Sequence, residues 1–127
     1  MPLPALIIFI RNPILGKVKT RLAADTGNEQ ALDIYRELLR HTRETAAAVQ
    51  CTRYLFYSDF INENDEWPAT LFQKRVQSGN NLGERMYQAF AEVLATHPSA
   101  VIIGSDCYAL RPEHIATALE QLTNNDV

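Results

Sequence analysis

Six consecutive apolar residues, Ala5-Leu6-Ile7-Ile8-Phe9-Ile10, stop abruptly at Arg11. An unbroken run of this length has no polar face, so a strand built from it must be covered on both sides. Helices flanking a parallel sheet supply that cover. The adjoining segment narrows the possibilities further. Residues 11–21, Arg-Asn-Pro-Ile-Leu-Gly-Lys-Val-Lys-Thr-Arg, hold four of the chain's 12 Lys and Arg residues, with no acid before Asp25. The chain as a whole carries a formal net charge of −3. A buried strand opening into a cationic loop with Pro and Gly suits an anionic ligand, and the phosphates of a nucleotide fit best.

The rest of the chain alternates helical and extended patterns. Leu32, Tyr35, Leu38, Leu39, Thr42, Ala46 and Val49 form a stripe that predicts a helix over 29–49. Thr26 with Glu29 makes a capping box at its start, and Asn28 is a rival cap. Arg53 to Tyr57 reads as a second strand, residues 59–68 as a polar loop, and Leu71 to Gln77 as a third, shorter strand. Asn81 opens a second helix, with Glu84 three residues on and Leu82, Met86, Phe90 and Val93 facing inward. Ala100 to Ile103 is a fourth strand. Pro112 and Glu113 start a third helix with Ile115, Leu119 and Leu122 inward. Asp126-Val127 reads as the entry to a fifth strand. The expected class is α/β with a mainly parallel, Rossmann-like sheet. Its 127 residues then read as the N-terminal part of a longer domain; a short protein with a frayed tail is the other reading.

Composition excludes several classes. A net charge of −3 argues against general nucleic-acid or anionic-membrane binding, which call for a broad basic surface. Two cysteines, Cys51 and Cys107, make no disulfide framework and point to a reducing, cytoplasmic setting. The N-terminal apolar run is too short for a signal-peptide core or a membrane span.

The basic loop is not a P-loop, since Arg11 and Val18 stand where that motif needs Gly and Ser or Thr. No Gly-x-Gly-x-x-Gly is present. What remains is Gly16 for close backbone approach and Lys17, Lys19 and Arg21 at spacings of two, which project to one side of an extended loop, whereas in a helix only Lys17 and Arg21 share a face. A solvated basic turn would have the same charge pattern. Gly104-Ser105-Asp106-Cys107 leaves the fourth strand as the basic loop leaves the first. A carboxylate there is placed to hold Mg²⁺ or Mn²⁺, although a turn cap would use the same Asp. With strand order 3-2-1-4, the order reverses between strands 1 and 4, and ligands of such sheets bind at that switch. A third candidate is Gln77 to Met86, where Gly79 and Gly83 flank a helix start and Arg85 adds a fork of donors. Gly79 as a turn and Gly83 as a packing residue is the structural alternative. His41, His97 and His114 have no metal-ligand spacing. Cys107, the Tyr54, Phe56 and Tyr57 cluster, and Trp67 read as packing or anchoring residues.

Three segments, Phe9 to Leu22, Gln77 to Met86 and Ile102 to Cys107, resemble in order and spacing the bacterial GT-A-like transferases. These are the glycosyltransferase-like, radical-SAM/selenodomain-associated transferases. The resemblance implies a nucleotide-diphospho-sugar transferase fold, which also houses nucleotidyltransferases, with residues 1–127 as the nucleotide-binding part of one GT-A-like domain. It places the donor nucleotide over the Arg11 to Arg21 loop and the divalent metal at Asp106. Tyr108 departs from the family's usual Pro, and Asn81 from its usual Asp.

The expected function is a metal-dependent transferase that moves a glycosyl group from a nucleotide sugar to a small-molecule acceptor. Arg11, Gly16, Lys17, Lys19, Arg21, Gly83 and Arg85 would bind the nucleotide, and Asp106 and Lys19 would carry catalysis. On the same fold, a nucleotidyltransferase would join an NTP to a phosphorylated small molecule, with Lys17 or Lys19 stabilising the pentavalent phosphorus. A nucleotide-binding module without catalysis is the third reading.

Overall fold

The computed structural model describes residues 3–14, 16, 24, 26–105 and 111–124, with side chains to residue 121. Strand β1 (Ala5–Ile10) lies inside a four-stranded sheet of order β3-β2-β1-β4, with β2 (Thr52–Tyr57), β3 (Phe72–Val76) and β4 (Ala100–Ile103). Every pairing is parallel. β1 runs beside β2 from Ala5↔Thr52 to Ile10↔Tyr57, and beside β4 from Ala5↔Ala100 to Ile8↔Ile103. β3 continues the sheet beyond β2, from Arg53↔Phe72 to Tyr57↔Val76. The α/β class and the four strand positions match the sequence reading, and the order is the 3-2-1-4 on which its placement of the switch was conditional.

The pleat divides β1 between two cores. Leu6, Ile8 and Ile10 join Leu55 and Tyr57 beneath helix α1 (Asn28–Ala47) and helix α3 (Pro112–Asn124). Ala5 and Ile7 join Tyr54 and Phe56 beneath helix α2 (Leu82–Leu94). Four β1 residues are wholly shielded from solvent. Truncating one of them, Ile8→Ala for example, removes about 2–5 kcal/mol. Among the described residues no helix is long and apolar enough to cross a membrane.

The helix stripes fall where the periodicity puts them, with two corrections. α1 takes Gly27 as its N-cap, a residue with no side chain to offer the first amides, and Asn28 already lies inside the helix. The Gly27 carbonyl accepts the first helical N–H, from Ala31 at 3.1 Å. Glycine is tolerated as an N-cap, and Glu29 in the first turn still complements the helix dipole. At the other end, Arg53 reaches up from β2 and donates to the carbonyls of Ala46 (2.6 Å), Ala47 (3.0 Å) and Val49, closing the last turn of the helix and the residues just after it. In α2 the Asn81 cap is as expected, its Oδ1 accepting the Glu84 N–H at 2.9 Å. Leu82, however, is exposed. The helix meets the sheet through Ala89 and Val93, two turns further on, with Met86 and Phe90 half-buried. In α3 Ile115 and Leu119 are buried, while Leu122 and the expected fifth strand lie outside the described side chains.

The β2–β3 connection, residues 58–71, crosses between parallel strands without a helix. A buried polar cluster holds it in place. Lys74 of β3 donates to Asp65 Oδ1 and to the Asn62 carbonyl, both at 2.8 Å, and Tyr57 Oη donates to the other Asp65 oxygen. Asp65 Oδ1 also accepts the Trp67 N–H at 3.1 Å. Trp67 then stands edge-on to Phe72 with centroids 4.9 Å apart, the anchor that its place in a polar loop suggested. His97 is likewise structural: Nδ1 donates to the Leu3 carbonyl and Nε2 accepts from Tyr54 Oη, each at 2.8 Å. The tautomer is set by the carbonyl, which can only accept.

Burial, reinforced by the Asp65 carboxylate, pushes the Tyr57 phenol far above its ordinary value. The folded chain therefore holds that proton more tightly than the unfolded chain. The stabilisation is complete below about pH 10 and is lost as pH rises above it. Tyr57→Phe removes this linkage. Urea midpoints measured between about pH 9 and about pH 11 should fall less in the variant than in the wild type. Equal slopes would contradict the assignment.

Candidate functional site

Because all four strands are parallel, their C-terminal ends gather on one rim. Arg11 follows β1, Ser58 follows β2, Gln77 follows β3 and Gly104 follows β4. The order reverses between β1 and β4, adjacent in space but far apart in the chain, with β2, β3, α1 and α2 between them among the described elements. That opens the crevice in which such sheets bind ligands.

Tyr35 of α1 meets the chain at this switch point. Its ring is buried in the α1-side core, and its hydroxyl lies at the rim. Oη accepts the Arg11 backbone N–H at 2.7 Å and the Ser105 hydroxyl at 3.3 Å. The residue that opens the basic segment and the residue that precedes Asp106 thus meet on one oxygen. Arg11 itself is exposed and Ser105 buried. Gly16 adopts φ +82°, a left-handed conformation that explains why glycine stands there. Lys17, Lys19, Arg21, Asp106, Cys107 and Tyr108 lie outside the described residues.

Asn12 ties the rim sideways. It is 2% exposed, and both side-chain polar atoms and its N–H are used. Oδ1 accepts the N–H groups of Asp59 (2.9 Å) and Phe60 (3.2 Å), and Nδ2 donates to the Phe60 carbonyl at 2.9 Å. Its own N–H donates to Ser58 Oγ at 3.0 Å. The loop after β2 is therefore fixed to the loop after β1.

Gln77 makes the third tie. From the end of β3 its Nε2 donates to the carbonyls of Ile10 (3.1 Å) and Phe56 (3.0 Å), reaching across β2 to β1. Its Oε1 accepts Arg85 Nη1 at 3.2 Å, and Arg85 Nε donates to the Gly79 carbonyl at 3.2 Å. Two of the three Arg85 nitrogens are thus engaged in shaping the 77–79 turn. Gly79 has φ +140°, and a Cβ there would lie 2.8 Å from Glu84 Cβ and 2.9 Å from the Arg85 nitrogen. Only glycine fits. Gly83 is exposed in the first turn of α2, and a Cβ there would approach only the Asn81 side chain, at 3.3 Å.

Sequence patterns put Tyr35 in the helix stripe but missed its role. A tyrosine among aliphatic core positions was the available signal, since a buried phenol needs a partner. Asn12 and Gln77 gave weaker signals, as amides beside strand ends. Among the described residues no group of three or more His, Cys, Asp or Glu could hold a metal ion. Asp106 stays the candidate ligand, outside those residues.

Residues 40–127 match the model of the family described as "Uncharacterized protein conserved in bacteria (DUF2064)". No curated protein matches the chain. A crystal structure from Desulfovibrio desulfuricans G20, described as a "putative nucleotide-diphospho-sugar transferase", superposes with a TM-score of 0.84 at 26% identity. The similarity covers 97% of this chain and 55% of that one, so the present chain spans little more than half of its neighbour's length.

Asn12→Ala removes the tie between the first two rim loops. It should cost about 1–3 kcal/mol, because the Asp59 and Phe60 groups lose a buried partner. Chemical denaturation measures this, and a loss below about 0.5 kcal/mol would show that the amide does not hold the rim.

Proposed function

The chain belongs to the DUF2064 family of bacterial proteins and has the nucleotide-diphospho-sugar transferase fold; on that premise we propose that it is the nucleotide-binding part of a metal-dependent transferase acting on a nucleotide sugar. One observation carries the reading. Arg11 and Ser105, which flank the basic segment and Asp106, converge on Tyr35 Oη at the point where the strand order reverses. A diphosphate lying across that point would be within reach of the cationic segment that Arg11 opens and of the carboxylate that follows Ser105 in the chain.

The roles follow from charge. Arg11, Lys17, Lys19 and Arg21 bind the diphosphate, while Gly16 and the amides near Gly83 allow close backbone approach. Arg85 shapes the turn beneath the nucleotide. Asp106 holds Mg²⁺ or Mn²⁺, hard cations that take oxygen ligands and share phosphate charge when bound. In the transfer, the acceptor's nucleophile bonds to the sugar's anomeric carbon and the bond from that carbon to the phosphate oxygen breaks. The nucleoside diphosphate leaves with the extra negative charge, which Lys19 and its neighbours stabilise more strongly in the transition state than in the substrate.

A thermal-shift series of nucleotide sugars and nucleoside diphosphates, with and without Mg²⁺ or Mn²⁺, tests the assignment. A donor at about 100 times its dissociation constant stabilises by about 2.7 kcal/mol. Asp106→Asn should abolish the metal-dependent part of the shift, and Lys17→Ala with Lys19→Ala the nucleotide-dependent part. No shift with any donor would remove the proposal. Release of pyrophosphate from an NTP in place of a nucleoside diphosphate would make the enzyme a nucleotidyltransferase.

A further inference from the structure

We propose that the Tyr35 hydroxyl is a positioning group that couples the loop after β1 to the turn after β4, so that ordering either one orders the other. The proposal deepens the transferase reading and rests on it for its functional meaning. The bridge itself stands on geometry.

The β1–β4 ladder ends at Ile8↔Ile103. Beyond it, among the described residues, no strand pairing joins the two ends that lead to the basic segment and to Asp106. Tyr35 Oη takes over at that level, through Arg11 N–H at 2.7 Å and Ser105 Oγ at 3.3 Å. The three residues are far apart in sequence, with Tyr35 24 positions from Arg11 and 70 from Ser105. The ring cannot follow one loop away from the other, because it is 4% exposed and packed with Leu38, Leu39 and Ile10. Its hydroxyl is therefore a fixed point. Either loop must give up a bond to that oxygen in order to move. A ligand that holds both loops meets a rim already set by one atom, which lowers the ordering cost of binding.

Tyr35→Phe deletes the hydroxyl and keeps the ring, so the core survives the test. In amide NMR of the whole protein, Arg11 should exchange about tenfold faster in Y35F, while amides in the middle of β1 keep their protection. The decisive readout is a double-mutant comparison. Ser105→Ala should shift the Arg11 amide resonance in the wild-type background and leave it unmoved in the Y35F background. A plain packing role for Tyr35 predicts no such difference, and an equal shift in both backgrounds overturns the bridge. For the functional half, magnesium pyrophosphate serves as the probe. Its titration should move the Arg11 and Ser105 resonances with one dissociation constant, weakened about tenfold by Y35F. Unchanged affinity in Y35F would overturn the positioning role. Failure of the wild type to bind would instead strike the transferase reading, leaving the bridge to be decided by the double-mutant result.

Discussion

Everything in this fold depends on β1 having parallel neighbours on both sides. A strand with no polar face has to be central, and β2 and β4 make it so. Parallel pairing then sends each succeeding loop off the same rim. Because β2 comes next after β1 in the chain but β4 comes much later, the rim is built from unlike loops that meet at a reversal of order. Apolar burial fixes the strand, the strand fixes the rim, and the rim brings Arg11 and Ser105, the residues that lead into the basic segment and into Asp106, to adjacent exits.

Adjacency alone is not a binding site. Three polar side chains turn the rim into a defined surface, and each spans a different gap. Tyr35 bridges β1 to β4, Asn12 bridges the β1 loop to the β2 loop, and Gln77 reaches from β3 across β2 to β1. All three bond at least one backbone group of a loop or strand end. Their geometry is therefore set by the fold. Arg85 illustrates the distinction. Its sequence position suggested a donor fork for phosphate, but its bonds to Gln77 and Gly79 show that it also builds the turn.

How much of this was legible in the sequence depended on how local the signal was. Ala5–Ile10 and Ala100–Ile103 were read to the residue, because apolar runs bounded by charge or glycine have few alternatives. The Asn81 cap was found from a three-residue motif that the structure bears out. Errors arose where two local signals competed or where range was needed. Thr26, Gly27 and Asn28 all resemble caps, and the glycine's backbone freedom prevailed. Leu82 fits the inward stripe by period, yet periodicity does not register where along its length the helix meets the sheet. Tyr35, Asn12 and Gln77 act on partners tens of residues away, which no spacing rule reaches.

The central claim is that the segment after β1 and the turn after β4 form one site for a metal and a diphosphate. Its most direct test is an anomalous-scattering map from a crystal grown with Mn²⁺ and a nucleoside diphosphate. The account predicts a manganese peak at the Asp106 carboxylate with the diphosphate lying toward Lys17 and Lys19. Manganese and nucleotide at the opposite end of the sheet, or on separate faces of it, would contradict the account.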